Sequence, residues 1–85
     1  MNLMYLPDKF TPSDRALLVL GGQILTVLRR PRTVSGALDE LRALRATLGM
    51  ESPVDFWWYA LALDALFALG VVRTADGMIE RIERA

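Results

Sequence analysis

Few side chains in this 85-residue chain could carry chemistry, because it contains neither cysteine nor histidine. Their absence removes the commonest nucleophile, the commonest general base and the usual zinc ligands. Two features remain: a basic cluster of Arg29, Arg30 and Arg32, and a carboxylate, Asp64, inside a long apolar segment. We therefore predict no catalytic residue, no cofactor or metal site and no small-molecule substrate, so the chain is not expected to be an enzyme.

The arginine cluster has two interpretations. Arg29, Arg30 and Arg32 could contact phosphate groups, as arginines on nucleic-acid-binding surfaces do. They also flank Pro31, which ends a predicted helix, and cations at a helix C-terminus interact favourably with the helix dipole. The second interpretation is favoured, because three arginines beside a proline are weak evidence for nucleic acid.

Asp64 is unusual because its neighbours along the chain are apolar. A buried carboxylate needs a partner, which could be an arginine of the same chain, such as Arg15, or a cation across a subunit interface. A catalytic role is disfavoured, since no second acid, base or metal ligand accompanies Asp64 at helical spacing.

The length of the chain predicts a single domain, 1–85. Thr-Pro and Ser-Pro pairs predict where helices begin, and glycine predicts where they end. Asp76-Gly77 is a hairpin turn signal. The predicted elements, in order, are an N-terminal arm or strand over 1–10, helices over 12–30, 34–48 and 53–69, and a hairpin over 71–82. This order predicts a mainly α fold with a small β hairpin, winged helix-turn-helix-like, with a candidate short N-terminal strand.

The third helix, which we expect to begin at the Ser52-Pro53 signal, is apolar almost all round. On a helical wheel, one arc suits the core, and its members are Phe56, Tyr59, Leu63, Leu66 and Phe67. Trp57 and Trp58 lie outside that arc, so they are either covered by the rest of the chain or bind a partner protein. The predicted partner-binding residues are Trp57, Trp58, Leu61 and Asp64 of this helix, with Tyr5 and Leu6 of the arm.

Two other roles for this helix are disfavoured. Base reading requires Arg, Lys, Asn or Gln, and the helix has none of them; its charged residues are Asp55 and Asp64. A membrane span is disfavoured because Asp64 would cost roughly 2.5–3.5 kcal/mol at the bilayer centre. The balanced charge, ten basic against ten acidic residues, also gives no overall attraction to nucleic acid. Without a signal peptide pattern, we expect a cytoplasmic protein.

Several segments of the sequence resemble those of one known family. They are Tyr5-Leu6-Pro7-Asp8-Lys9-Phe10-Thr11-Pro12, Arg30-Pro31-Arg32-Thr33-Val34, the second helix, and Ala62-Leu63-Asp64-Ala65-Leu66-Phe67-Ala68-Leu69-Gly70-Val71-Val72 followed by Asp76-Gly77-Met78. Together they resemble the small middle components of bacterial ABC-three-component systems.

The resemblance implies a non-enzymatic, winged-helix-like adaptor encoded with an SMC- or Rad50-like ABC ATPase and an effector component, in Lamassu-related anti-phage defence. It implies protein partners and contact with DNA through the complex alone. Two alternatives remain: a small winged-helix DNA-binding regulator that contacts phosphate through Arg29, Arg30 and Arg32, and a homodimer formed through the third helix.

Overall fold

A computed structural model describes residues 12–50 and 52–83, with side chains from residue 16 onward. In chain order its elements are α1 (Pro12–Val27), α2 (Val34–Thr47), α3 (Phe56–Ala68), β1 (Val72–Ala75) and β2 (Met78–Arg81). Three helices followed by a two-stranded antiparallel hairpin confirm the predicted mainly α, winged-helix-like fold. The candidate N-terminal strand, with Tyr5 and Leu6, lies outside the described residues.

Polar caps start α2 and α3. Thr33 accepts the Gly36 N–H on its Oγ1 at 3.0 Å and so begins α2 where the sequence predicts. In α3 the cap is Asp55, whose Oδ1 accepts the Trp58 N–H at 2.8 Å. The expected start at Ser52 is therefore wrong. The cap lies three residues further along the chain, at Asp55, whose carboxylate accepts the Trp58 N–H that the helix itself leaves unpaired.

Glycine ends α3 and turns the chain into the wing. Gly70 has φ +75; its N–H donates to the Phe67 carbonyl oxygen at 3.0 Å, and the next N–H, of Val71, donates to Leu66 at 3.2 Å. This paired arrangement satisfies two carbonyl groups that a helix end leaves free. Because such a left-handed residue favours glycine, the change from helix to strand is encoded locally.

The wing closes through the Asp76-Gly77 turn, in which both residues have positive φ, 56 and 77. That pair of values is typical of a type I′ turn, whose twist matches a two-residue hairpin. The turn sets the register of the ladder, with Ala75 opposite Met78 and Val72 opposite Arg81. As predicted, the Asp-Gly signal thus determines both the turn and the strand pairing.

A short third segment joins this hairpin from the loop between α1 and α2. Arg32 pairs with Ile79 in an isolated antiparallel bridge, with N···O distances of 3.0 and 2.7 Å in the two directions. Sequence reasoning missed this pairing, since a single residue beside Pro31 carries no strand pattern. The bridge attaches the wing to the loop that follows α1.

The core lies where the three helices meet the inner face of the wing, and its buried residues are all hydrophobic. The fully buried side chains that are largest are Tyr59, Ile24, Leu28, Leu41 and Ile79. These residues come from α1, the turn after it, α2, α3 and β2. Val72 of β1 is buried in the same cluster, so a single core serves every described element.

Candidate functional site: the exposed face of α3 and the arginines at the wing

Tyr59 anchors α3 to the start of α2. Its side chain is fully buried, and its hydroxyl donates a hydrogen bond to the Val34 carbonyl oxygen at 2.7 Å. Burial raises the pKa of Tyr59 to about 12, because the low-dielectric core disfavours the phenolate. The aromatic ring contributes apolar area to the core, and the hydroxyl group links α3 to the first residue of α2.

The buried face of α3 is narrower than the helical wheel predicts. Its buried members are Tyr59, Ala62, Leu63 and Leu66, and Phe67 packs against them while partly exposed. Phe56 was expected in the core, but 53% of it is exposed, so that expectation is wrong. It lies in the first turn of α3, where its ring packs against those of Tyr59 and Trp57 at centroid distances of 6.2 and 6.5 Å.

The opposite face of α3 carries an exposed apolar surface, made by Phe56, Trp57, Leu61 and Asp64, which we call the α3 surface. Trp57 is 80% exposed and Leu61 is 53% exposed. Trp57, Leu61 and Asp64 follow the spacing i, i+4, i+7, which places them on one side of a helix. An exposed tryptophan beside two further large apolar side chains is the kind of patch that marks an interaction site.

The two neighbouring tryptophans have different environments. Trp58 is half-buried and packs against the core. It lines a cleft of about 310 Å³ between the start of α1 and the segment before α3, whose other apolar walls include Leu20, Pro53 and Val54. The structure therefore separates two residues that sequence reasoning treated together, with Trp57 on the surface and Trp58 partly enclosed.

Asp64 is exposed, because it faces away from the arc occupied by Tyr59, Leu63 and Leu66. It is therefore not a core carboxylate whose desolvation has to be compensated, and an ion pair across a subunit interface stays a prediction. Within the described residues Asp64 makes no salt bridge; the side chain of Arg15 lies outside them. Asp64 is thus a charged group within an apolar surface.

The basic cluster divides into two parts. Arg32 directs its Nε to the Val27 carbonyl oxygen at 2.7 Å, and its Nη1 lies 3.8 Å from a carboxylate oxygen of Glu40. The Arg32 side chain is only 12% exposed, so it caps the C-terminus of α1 and is poorly placed for phosphate. Arg29 and Arg30 are exposed.

Two wing arginines lie close to Arg29 and Arg30, although they are distant in sequence. Together the four line a cleft of about 360 Å³ between the end of α1 and the base of the wing, with Leu28, Pro31 and Ile82 as apolar walls. The wing members are Arg73 and Arg81. No sequence pattern grouped them with Arg29 and Arg30, because the Arg32–Ile79 bridge, which holds the wing beside the end of α1, was not visible in the sequence.

Other classes of site have no support in the described part of the chain. No group of three or more acidic side chains in it could hold a metal ion. At the α3 surface Asp64 has the one polar side chain, so no second acid or base lies there for general acid–base chemistry.

None of the helices in 12–50 and 52–83 combines the length and apolar character that a bilayer crossing requires.

Comparison with known proteins gives one result. The family model described as ABC-three component (ABC-3C) system Middle Component 6 matches residues 6–82. Searches of curated proteins and of solved structures found no match. Since the family model spans nearly the whole chain, including every helix and strand described above, this protein belongs to the family of ABC-three-component system middle components.

Proposed function

We propose that this chain is a non-enzymatic adaptor subunit that joins an SMC-like ABC ATPase to an effector component of the same system. Membership of the middle-component family indicates a part of a multi-component assembly. The adaptor role, the identity of the two partners and a place in Lamassu-related anti-phage defence in the cytoplasm are the finer parts of the proposal.

The observation that carries the proposal is the α3 surface. Winged-helix proteins that read DNA place this helix in the major groove and use Arg, Lys, Asn or Gln to contact bases. Here the exposed face has Trp57, Leu61 and a carboxylate, which phosphate groups repel. Tryptophan is enriched among the residues that contribute most to protein–protein binding. The chemistry of this face therefore favours a protein partner.

The α3 surface is also held in a fixed position before any partner binds. The Asp55 cap, the Tyr59 hydrogen bond and the contact of Arg42 Nη2 with the Val54 carbonyl oxygen at 3.0 Å fix the start of α3. A preformed surface loses less conformational entropy on association than a flexible one. Such rigidity suits a subunit that holds two larger components in a defined geometry, so that ATP or DNA engagement by the ATPase changes the effector's activity.

The test is co-expression of this chain with the ATPase and effector of its system, followed by affinity purification and mass measurement. The double variant Trp57→Ala/Leu61→Ala should keep the fold, because substitutions at exposed positions usually change stability by less than about 0.5 kcal/mol. It should lose at least one partner component from the purified complex.

The matched control is Leu18→Ala, which removes an exposed apolar side chain, 62% accessible, from α1. We expect this variant to assemble normally. A folded double variant that still recovers both partners in full, or a wild-type chain that remains a monomer beside them, would contradict the proposal.

The alternative of a DNA-binding regulator is weaker, because one of its three arginines is already engaged. Arg32 holds the end of α1, which leaves Arg29 and Arg30 exposed. A steep decrease in duplex binding with salt, lost in an Arg29→Gln/Arg30→Gln variant, would favour this alternative.

A further inference from the structure

The cleft between α1 and the base of the wing is a second surface, separate from the α3 surface, and we call it the wing-base cleft. Four arginines from three separate segments line it, together with two glutamates. The arginines are Arg29, Arg30, Arg73 and Arg81, and the glutamates are Glu80 and Glu83. No residue of α3 lines the cleft, so a ligand there leaves the α3 surface accessible.

The arginines of the cleft are not equally available. Arg73 Nε lies 2.6 Å from a carboxylate oxygen of Glu80, and Arg81 Nη1 donates to the Leu25 carbonyl oxygen at 3.3 Å. Arg29 and Arg30 are exposed and make no side-chain hydrogen bond or salt bridge with any described residue. Their two guanidinium groups are therefore available to a carboxylate or a phosphate.

The backbone edge of β2 also faces this cleft. In the hairpin, the pair Ala75–Met78 closes the turn, and the Ile82 N–H donates to Val71 at 2.9 Å. In this register the N–H and C=O groups of Met78 and Glu80 point toward β1. The alternation of an antiparallel ladder then points those of Ile79 and Arg81 to the outer edge.

Along that outer edge, the backbone of Ile79 has a hydrogen-bond partner, whereas the backbone of Arg81 has none among the described residues. Arg32 pairs with Ile79 in both directions, and a regular antiparallel strand would continue to a pair between Arg30 and Arg81. No backbone hydrogen bond joins Arg30 to Arg81, because the chain turns away at Pro31 into the end of α1. Among the described residues, 12–50 and 52–83, the N–H and C=O of Arg81 have no backbone partner, and they lie beside the exposed guanidinium groups of Arg29 and Arg30.

We propose that the wing-base cleft binds an extended acidic segment of a partner protein, which adds to the outer edge of β2 beyond Arg32. Main-chain hydrogen bonds to an open edge supply affinity in such complexes, and side chains supply specificity. Carboxylates of the segment pair with Arg29 and Arg30, while its apolar side chains lie on Pro31 and Ile82.

Nucleic acid fits the cleft less well. A phosphate backbone makes no use of an apolar wall and offers no strand of alternating donors and acceptors to the edge of β2. The wing-base cleft and the α3 surface share no residue, so separate variants test each one.

The experiment is an NMR titration of the whole ¹⁵N-labelled chain with a blocked peptide of alternating Glu and Val. We expect shifts at Arg29, Arg30 and Arg81, and slower hydrogen exchange of the Arg81 amide when the peptide is bound. The Arg29→Gln/Arg30→Gln variant should bind about five- to tenfold more weakly, as expected for exposed charge pairs.

The control for charge is Ser35→Glu, which lowers the net charge by one at an exposed position of α2 outside the cleft and should leave peptide affinity unchanged. Trp57→Ala/Leu61→Ala should also bind the peptide normally, which distinguishes this surface from the α3 surface. The absence of shifts at millimolar peptide, or shifts without protection of the Arg81 amide, would overturn strand addition. Shifts at these arginines by a 20-base-pair duplex but not by the peptide would assign the cleft to nucleic acid instead.

Discussion

Tyr59 should make the stability of this fold depend on pH in the alkaline range. Its ring is fully buried, its hydroxyl donates to Val34, and burial raises its pKa from 10.0 to about 12. In the unfolded chain Tyr59 loses its proton above about pH 10, whereas the folded chain keeps it bound until about pH 12. The folded state then binds more protons than the unfolded state in this interval, so stability decreases as pH rises.

The magnitude follows from the size of the shift. One pKa unit corresponds to about 1.4 kcal/mol, so Tyr59 should lower the free energy of unfolding by roughly 2–3 kcal/mol between pH 10 and pH 12. Below pH 10 the contribution is fully present and constant. The variant Tyr59→Phe loses the hydrogen bond, at about 1 kcal/mol, but also loses the group that titrates. The two stability curves should therefore cross between pH 10 and pH 12.

The assay is urea unfolding followed by tryptophan fluorescence from pH 8 to pH 12, in the wild type and in Tyr59→Phe. The subtraction isolates Tyr59, because every other titrating group, including Tyr5 and Lys9, is present in both chains. Tyrosinate absorbance of the folded proteins gives the pKa directly. Parallel stability curves, or a Tyr59 that ionises near pH 10 in the folded chain, would refute the reasoning.

Three further substitutions test the interior of α1, the cap of α3 and the burial of the Trp58 ring. Gly22→Ala should stabilise the chain by up to about 1 kcal/mol in urea unfolding, since nothing lies within 4 Å of the added methyl group; destabilisation would indicate an unseen constraint on α1. Asp55→Ala should cost roughly 0.5–2 kcal/mol and Ser52→Ala almost nothing, and equal costs would contradict the assigned cap. Trp58→Ala should lower stability by about 1–3 kcal/mol while Trp57→Ala changes it little, and a reversed order would show that burial has been misassigned.

Local signals in the sequence predict the elements well, and the structure shows why. Thr33 and Gly70 act through hydrogen bonds and φ values within a few residues, and Asp76-Gly77 acts through the twist of one turn. Each rule is satisfied by neighbours in the chain, so it needs no knowledge of the fold. The Ser52 cap was wrong because two candidate caps lie within one turn of each other, and local rules do not choose between them.

The faces of α3 were predicted in part. The wheel correctly grouped Tyr59, Leu63 and Leu66, because a fixed rotation per residue holds in any helix. It wrongly added Phe56, since the extent of cover at a helix end depends on where the neighbouring elements stop. It placed Trp57 and Trp58 on different flanks of the helix but did not predict which of them is covered, because that depends on whether α1 and the segment before α3 reach the ring.

By itself, the sequence determines the three helices, the hairpin, the family and an apolar α3 without base-reading side chains, because composition and short-range spacing carry that information. Tertiary structure alone decided that Asp64 is exposed, and that Arg73 and Arg81 meet Arg29 and Arg30 in one cleft. The physical reason is that burial and charge clustering depend on contacts between segments tens of residues apart. Those contacts follow from the packing of α1, α3 and the wing around Tyr59 and Ile79, which no local pattern encodes.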